Sequence, residues 1–181
     1  MIGAPSSKTR CGMTCVCAMA WLLLGAAHAG TPQLNWAAKV GGTSTDYAYA
    51  AWAGGDTLFL SGTFEGTADI NPSSDVQNVA SLGNTDIFVT KTNADGDFVW
   101  GVGIGGTGED SVNAIDVDST GSVVVVGYFS GTVDFNPGIG TANRTSTGNF
   151  DLFVLKLTKD GAFEWVKTLG GSDEDTAQGV A

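Results

Sequence analysis

Apolar and polar residues alternate in short segments of the chain, which is the pattern of half-buried β-strands. Between residues 100 and 169 we predict four strands, at Val112–Val117, Ser122–Phe129, Asp151–Thr158 and Phe163–Leu169, of which the first and the third alternate. The second contains four consecutive valines at positions 123–126, and a β-branched run that is apolar on both faces indicates an interior strand. No window has an apolar period of 3.6 residues. The sequence therefore predicts an all-β protein.

The predicted strands belong to a unit that occurs twice and begins a third time. Residues 36–99 and 100–164 share 24 identical residues in 64 aligned positions, which marks an internal repeat, and a repeat takes precedence over other fold signals. A Trp, a Gly-Gly pair and an Asp recur in each copy: Trp36, Gly41, Gly42 and Asp46; Trp100, Gly105, Gly106 and Asp110; Trp165, Gly170, Gly171 and Asp175. We interpret these residues as the structural signature of the repeat, with the Trp packing between successive units.

Three further motifs recur between the two full copies. They are Gly-x-Phe-x-Gly-Thr-x-Asp-x-Asn-Pro from Gly62 and Gly127, Asp-x-Phe-Val-x-Lys from Asp86 and Asp151, and Asp-Gly-x-Phe from Asp95 and Asp160. Asp-Gly favours a tight turn because both residues tolerate positive φ. Together with the signature, these motifs resemble the SBBP family of β-propeller repeats, which occurs in exported bacterial proteins. The resemblance implies four-stranded propeller blades and carries with it no general enzymatic activity, ligand or cofactor.

The repeat sets the domain organisation that we expect. We assign residues 1–29 to a signal peptide, 30–99 to the first blade, 100–164 to the second blade and 165–181 to the start of a truncated third. Closed propellers usually have at least four blades, so about two and a third repeats leave the ring incomplete. We expect a fragment of a longer protein, or else a chain that associates with other copies through its open blade edge.

The N-terminal residues have the features of a secretory signal. Lys8 and Arg10 precede an uncharged apolar run from Met13 to Ala27, and Ala27-His28-Ala29 is a small-x-small cleavage site. The apolar run is shorter than the roughly 20 residues that span a bilayer as a helix, although a single membrane anchor is the alternative. We expect export to the periplasm, the cell surface or the medium, and a mature chain without a transmembrane helix.

Composition limits the chemistry open to this chain. The 19 acidic and 8 basic residues give a net charge of −11, which argues against binding to nucleic-acid phosphates. All three Cys and the single His precede position 30, so cleavage after Ala29 leaves neither thiol nor imidazole. That loss excludes Cys–His and Ser–His catalysis and metal sites built on Cys or His.

Carboxylates and amides remain as candidate metal ligands and catalysts. The repeated Asp-x-Asn-Pro offers oxygen ligands for Ca²⁺ at alternate positions, and its residues are Asp69, Asn71, Asp134 and Asn136. The alternative, which we favour, is that these side chains cap the backbone of a turn.

Three other motifs are better explained by turns. Asp116–Gly121 resembles the start of an EF-hand loop, but Gly127 stands where the bidentate Glu is required. Gly101–Gly106 matches G-x-G-x-x-G, yet a strand follows it where a dinucleotide site requires a helix. Glu109-Asp110 and Glu174-Asp175 pair two acids, but neighbours on a strand point to opposite faces.

We therefore expect no catalytic residue and no cofactor, with calcium left open. The sequence favours a non-enzymatic binding or structural module outside the cell, whose partner is an extracellular protein or a glycan. The alternatives for a full-length parent are a carbohydrate-active enzyme and a calcium-stabilised adhesin.

Overall fold

The computed structural model describes residues 36–181, so the predicted signal peptide lies outside the described residues. Within this range the protein is all-β and its sheets are antiparallel, as the sequence predicts, and none of them closes into a barrel. The strands are β1 (Gly41–Gly42), β2 (Asp46–Gly54), β3 (Thr57–Phe64), β4 (Thr67–Asp69), β5 (Asn78–Ala80), β6 (Asp86–Asn93), β7 (Phe98–Gly106), β8 (Asp110–Val117), β9 (Val123–Phe129), β10 (Thr132–Asp134), β11 (Asn143–Thr145), β12 (Asp151–Leu157) and β13 (Phe163–Leu169).

Two four-stranded meanders form the body of the protein. The first runs β2-β3-β6-β7 and the second β8-β9-β12-β13, with each strand antiparallel to its neighbours. The four strands predicted for the second copy coincide with β8, β9, β12 and β13 to within two residues at each end. Three of the four valines in β9 are buried, which confirms its prediction as an interior strand.

Each meander carries a short hairpin that the four-strand prediction omits. The hairpin β4-β5 follows β3, and β10-β11 follows β9. The first strand of each hairpin pairs with the Gly-Gly pair that precedes its own meander: β4 with Gly41 and Gly42, and β10 with Gly105 and Gly106. A Cβ atom on Gly106 would collide with the Thr132 carbonyl, so this close pairing requires glycine.

The meanders are offset from the sequence copies. Trp100 opens the second copy in sequence but lies in β7, the last strand of the first meander. Each meander thus takes its fourth strand from the beginning of the next copy. The chain is thereby shared between successive units, which joins them without a separate linker.

The core lies between the two meanders. Strand β8 packs against β2 and β3, and side chains of both meanders form one apolar cluster that includes Phe59, Val89, Val125 and Leu155. Phe135, from the segment after β10, is fully buried with its ring 5.3 Å from Phe129. The hairpin therefore covers the end of its own meander.

Candidate functional site

The repeated Asp of the signature binds the backbone in every copy. The Oδ2 atoms of Asp46, Asp110 and Asp175 accept hydrogen bonds of 2.7, 2.8 and 2.7 Å from the amides of Gly42, Gly106 and Gly171. Each carboxylate thus closes the loop between the Gly-Gly pair and the strand that follows it. The shared role is structural, because the acceptor atom is engaged within its own loop.

A second Asp in each copy does the same in front of the third strand. The Oδ2 atoms of Asp86 and Asp151 accept from the amides of Leu82 and Thr147, at 3.0 and 3.1 Å. In the sequence these aspartates are the first residues of the Asp-x-Phe-Val-x-Lys motif, and that motif does not indicate their role. The signal that reveals their role is spacing, since every one of these hydrogen bonds joins an Asp to the amide four residues earlier.

The two kinds of Asp loop meet at the junction between the meanders. Thr85 and Glu109 form a parallel bridge, in which the Asp110 amide donates to the Thr85 carbonyl at 2.9 Å. Phe150 and Glu174 repeat this bridge, with the Asp175 amide 2.9 Å from the Phe150 carbonyl. Backbone hydrogen bonds therefore join successive units in the same way twice.

Burial at this junction perturbs two carboxyl groups. Asp110 is fully buried, and its burial, reinforced by the negative charges of Asp86 and Glu109, raises its pKa to about 7 against the pull of the Gly106 and Ser130 amides. Burial also raises the pKa of Asp86, opposed by the Leu82 amide. Burial thus favours the protonated form of both carboxyl groups at this junction.

The neighbouring acids of Glu109-Asp110 have different surroundings. Asp110 binds backbone amides inside the protein, whereas Glu109 is half-buried and accepts from the Tyr128 hydroxyl at 3.1 Å. Glycoside hydrolysis needs an acid and a base that face each other across one cleft. The carboxylates of Glu109 and Asp110 do not have this arrangement, because one binds Tyr128 and the other binds backbone amides. Glu174, the corresponding acid of the third copy, is exposed.

The calcium candidates are engaged with backbone amides. Asp134 Oδ1 accepts from Asn136 and Ala142 at 3.0 and 2.8 Å, and Asn136 Oδ1 accepts from Gly138 at 2.9 Å. In the first copy Asp69 Oδ1 accepts from the amides of Asn71 and Gln77, and Asn71 Oδ1 accepts from Ser73.

The hydrogen bonds of both copies form Asx turns of the kind that cap loops. In the described part of the chain no three acidic, His or Cys side chains form a group able to hold a metal ion.

The other two motifs have turn and strand geometry. Asp118 Oδ1 accepts from the amides of Thr120 and Ser122. The pKa of Asp118 is lowered chiefly by a hydrogen bond from the Thr120 hydroxyl and, to a smaller extent, by one from Lys156. The G-x-G-x-x-G residues lie within β7 and β8 follows, so no helix N-terminus faces a phosphate there.

An open cleft of about 350 Å³ separates β7 from two loops of the second meander. It is lined by Val102, by residues 136–139 and by residues 160–163. Asp160 is the one carboxylate among these lining residues, and its Oδ2 atom lies 2.7 Å from Lys159 Nζ. The cleft therefore lacks a second acid to pair with the first.

The signature tryptophans join one unit to the next. Trp36 and Trp100 donate from Nε1 to the carbonyls of Ala94 and Lys159, each at 2.9 Å. Both acceptors belong to the Asp-Gly turn that follows the tryptophan along the chain, 58 residues after Trp36 and 59 after Trp100. The glycines of these turns, Gly96 with φ 89° and Gly161 with φ 81°, leave no room for a side chain beneath the indole.

An aromatic pair on β2 is absent from the functional residues that the sequence predicts. Tyr47 and Tyr49 are 42% and 52% exposed, and their rings stack with centroids 5.8 Å apart and an interplanar angle of 26°. The pairing of β2 with β3 shifts between Ala48 and Ala50, which makes Tyr49 the extra residue of a β-bulge. Burial alternates along the whole of β2, so Tyr47 and Tyr49 lie on its exposed face and their rings stack at the surface.

The equivalent bulge of β8 shows that the tyrosines are not required by the repeat. Ser111 and Asn113 occupy the positions of Tyr47 and Tyr49 in the second copy, and the pairing shifts between Val112 and Ala114. Asn113 Nδ2 donates to the Ala177 carbonyl at 2.7 Å. The bulge thus holds a neighbouring backbone in one copy and presents an aromatic surface in the other.

Comparison with protein-family models and with curated proteins gives no match. Among residues 36–181 there is no helix long and apolar enough to cross a membrane.

Proposed function

We propose that this chain is part of an exported β-propeller of the SBBP type, which acts as a non-enzymatic binding or structural module outside the cell. The observation that carries the proposal is the hydrogen bond from Trp36 to Ala94 and from Trp100 to Lys159. Both bonds are 2.9 Å long, and the second joins the atoms that correspond, one repeat later, to those of the first. A contact that recurs at the repeat length is what a modular array needs, because each unit is stabilised by its neighbours.

The pairing of the strands supports a blade arrangement. Each meander has four antiparallel strands, and the first strands of the two meanders, β2 and β8, pack against each other. In a propeller the innermost strands of neighbouring blades adjoin around the central channel. We assign β2 and β8 to that innermost position.

The roles of the aspartates favour binding over catalysis. Asp46, Asp86, Asp110, Asp151 and Asp175 each accept an amide hydrogen bond within their own loops. A general acid or base must reach a substrate proton, whereas Asp110 is fully buried. The recurrent acids therefore fit a role in holding the scaffold together.

A comparison of turnover with stability tests this proposal. The purified chain is assayed for glycan hydrolysis on a panel of oligosaccharides and for glycan binding on an array, together with Asp110→Ala and Asp118→Ala. We expect no turnover by any of the three proteins, and a lower thermal midpoint for Asp110→Ala. Hydrolysis by the parent that Asp110→Ala abolishes while the fold persists would overturn the proposal.

Export is tested separately. Residues 1–40 are fused to alkaline phosphatase, which is active only where disulfides form, and expressed in a bacterium. We expect phosphatase activity outside the cytoplasm, and its loss when Leu22, Leu23 and Leu24 are replaced by Asp. An inactive parent fusion that accumulates in the cytoplasm would contradict export.

A further inference from the structure

The surface around Tyr47 and Tyr49 combines exposed aromatic rings with negative charge. Strand β2, which carries both tyrosines, packs against β8, and Glu109 immediately precedes β8. Tyr128 lies beside this acid: its hydroxyl donates to Glu109 Oε1 at 3.1 Å, and Tyr128 pairs in the sheet with Ser111, the β8 residue that corresponds to Tyr47 on β2. Burial is the main cause of the raised pKa of Tyr128, to which Glu109 and Tyr49 add.

The charge of this surface is not neutralised locally. Within residues 36–181 the ion pairs join Lys156 to Asp118 and Glu164 and Lys159 to Asp160, and none of them involves Glu109. Residues 36–181 contain 19 acidic and 6 basic residues, since Lys8 and Arg10 precede them, which gives a net charge of −13. Such a charge attracts cations and raises their rate of encounter.

The chemistry favours a planar cation. A guanidinium group stacks on aromatic faces, and its donor fork matches a carboxylate in two parallel hydrogen bonds. A lysine ammonium lacks the planar fork, and a neutral sugar gains nothing from the negative potential. The outer faces of the stacked Tyr47 and Tyr49 rings supply the aromatic surface, and Glu109, whose Oε1 accepts from Tyr128, supplies the charged acceptor.

We propose that Tyr47, Tyr49 and Glu109 form a binding site for an arginine side chain of a basic partner protein. The inference rests on the proposed function as a binding module and names the chemistry of its partner. It also explains why the first copy departs from the second. Ser111 and Asn113 occupy the equivalent positions of the second copy and form the same strand with the same bulge, so the fold does not require tyrosine at positions 47 and 49.

The test is an NMR titration of the whole chain, followed through its tyrosine ring resonances. The probe is the peptide acetyl-Gly-Arg-Arg-Gly-amide, and its citrulline analogue has the same shape without the charge. We expect the arginine peptide to shift the rings of Tyr47 and Tyr49 at low salt and the citrulline peptide to bind roughly tenfold more weakly, because cation–π and ion-pair attractions both require the charge. Equal affinity for the two peptides would overturn the arginine site.

The second copy provides matched variants. Tyr47→Ser and Tyr49→Asn introduce the residues found at Ser111 and Asn113, and Glu109→Gln keeps an acceptor for Tyr128 while removing the charge. We expect the double tyrosine variant to bind the arginine peptide about tenfold more weakly, and Glu109→Gln about fivefold more weakly. Glu174→Gln changes the equivalent acid of the third copy and should leave the affinity as it is.

Two results would overturn this inference. One is an affinity that Glu109→Gln and Glu174→Gln lower equally, because the effect then comes from overall charge. The other is a shift of the tyrosine rings by chitohexaose and not by the arginine peptide. That result leaves a binding module with a glycan as its partner, whereas turnover of chitohexaose would overturn the proposed function itself. An unchanged thermal midpoint of each variant shows that lost binding is not lost folding.

Discussion

The indole Nε1 of Trp100 lies 2.9 Å from the carbonyl oxygen of Lys159, a residue 59 positions later in the chain. This hydrogen bond joins the last strand of one meander to the Asp-Gly turn of the next. The indole also packs edge-on against Phe59, with the ring centroids 5.8 Å apart. One side chain therefore links the core of the first meander to the backbone of the second.

Replacing Trp100 with Phe should weaken this link. The ring still packs on Phe59, but the hydrogen bond to Lys159 is lost, which costs about 1 kcal/mol of unfolding free energy. Urea titration followed by circular dichroism measures the change. Trp52→Phe is the control, because Trp52 packs on the same Phe59 ring, at 6.1 Å, and donates no hydrogen bond within residues 36–181. Equal losses for the two variants would contradict a specific role for the Trp100 indole nitrogen.

Gly161→Ala should destabilise the protein more than Gly131→Ala. Both glycines have positive φ, 81° and 71°, and a left-handed conformation costs a non-glycine residue roughly 1–2 kcal/mol. A Cβ atom on Gly161 would also lie 2.9 Å from Trp100, whereas one on Gly131 meets nothing within 4 Å. We expect an additional loss of about 1 kcal/mol at Gly161, measured by urea unfolding. An equal loss of unfolding free energy at Gly161 and Gly131 would contradict this prediction, because it would show that the turn can shift away from the Trp100 indole without cost.

Stability should fall as pH rises from about 4 to 7 because of the carboxyl group of Asp110. Its pKa is about 3.9 in an unfolded chain and is raised to about 7 by burial in the fold. A raised pKa means that the folded state binds the proton more tightly, so this stabilisation is complete below pH 4 and is lost as the pH passes 7. Thermal midpoints recorded across this range should therefore decline toward neutral pH.

Asp110→Asn isolates this effect. The amide cannot titrate, so the decline between pH 4 and 7 should become shallower, while the raised pKa of Asp86 maintains a part of it. At pH 4 the variant should be roughly 1 kcal/mol less stable, because one of the two backbone amides bound by Asp110 loses its acceptor. Asp118→Asn is the control: the pKa of Asp118 is lowered, so its contribution is lost on acidification and the decline should persist. A pH profile unchanged by Asp110→Asn would contradict the assignment.

Calcium should leave the thermal midpoint unchanged. The Oδ1 atoms of Asp69 and Asp134 each accept hydrogen bonds from two backbone amides. These hydrogen bonds hold the two loops in place without a cation. Differential scanning calorimetry with calcium and with chelator measures this. Asp134→Ala should lower the midpoint in both conditions, since two hydrogen bonds are lost. A rise with calcium that disappears in Asp134→Asn would instead establish a cation site.

The sequence by itself determined the strands and their repetition. Alternation of apolar and polar residues located β8 and β12, because a side-chain period of two is a local property of an extended backbone, and the run of four valines located β9. The recurrence of Trp, Gly-Gly and Asp identified the repeat. Asp-Gly marked the turn between β12 and β13, where Gly161 has positive φ as its chemistry favours.

The tertiary structure decided the contacts between units. The three-residue strands β4, β5, β10 and β11 carry too few residues to show alternation, and they form because Gly42 and Gly106 let another backbone come close. The loops closed by Asp86 and Asp110 also meet at one junction, where the Asp110 amide donates to the Thr85 carbonyl, and this contact is absent from the local sequence pattern.

Tyr47 and Tyr49 stand two residues apart and therefore share one face of β2, which is the exposed face. Alternation places them together, but which face of β2 is left uncovered follows from how the strand packs against β3 and β8. Local pattern thus sets which residues extend, while the contacts that join the units and expose the tyrosines come from strand pairing between distant segments.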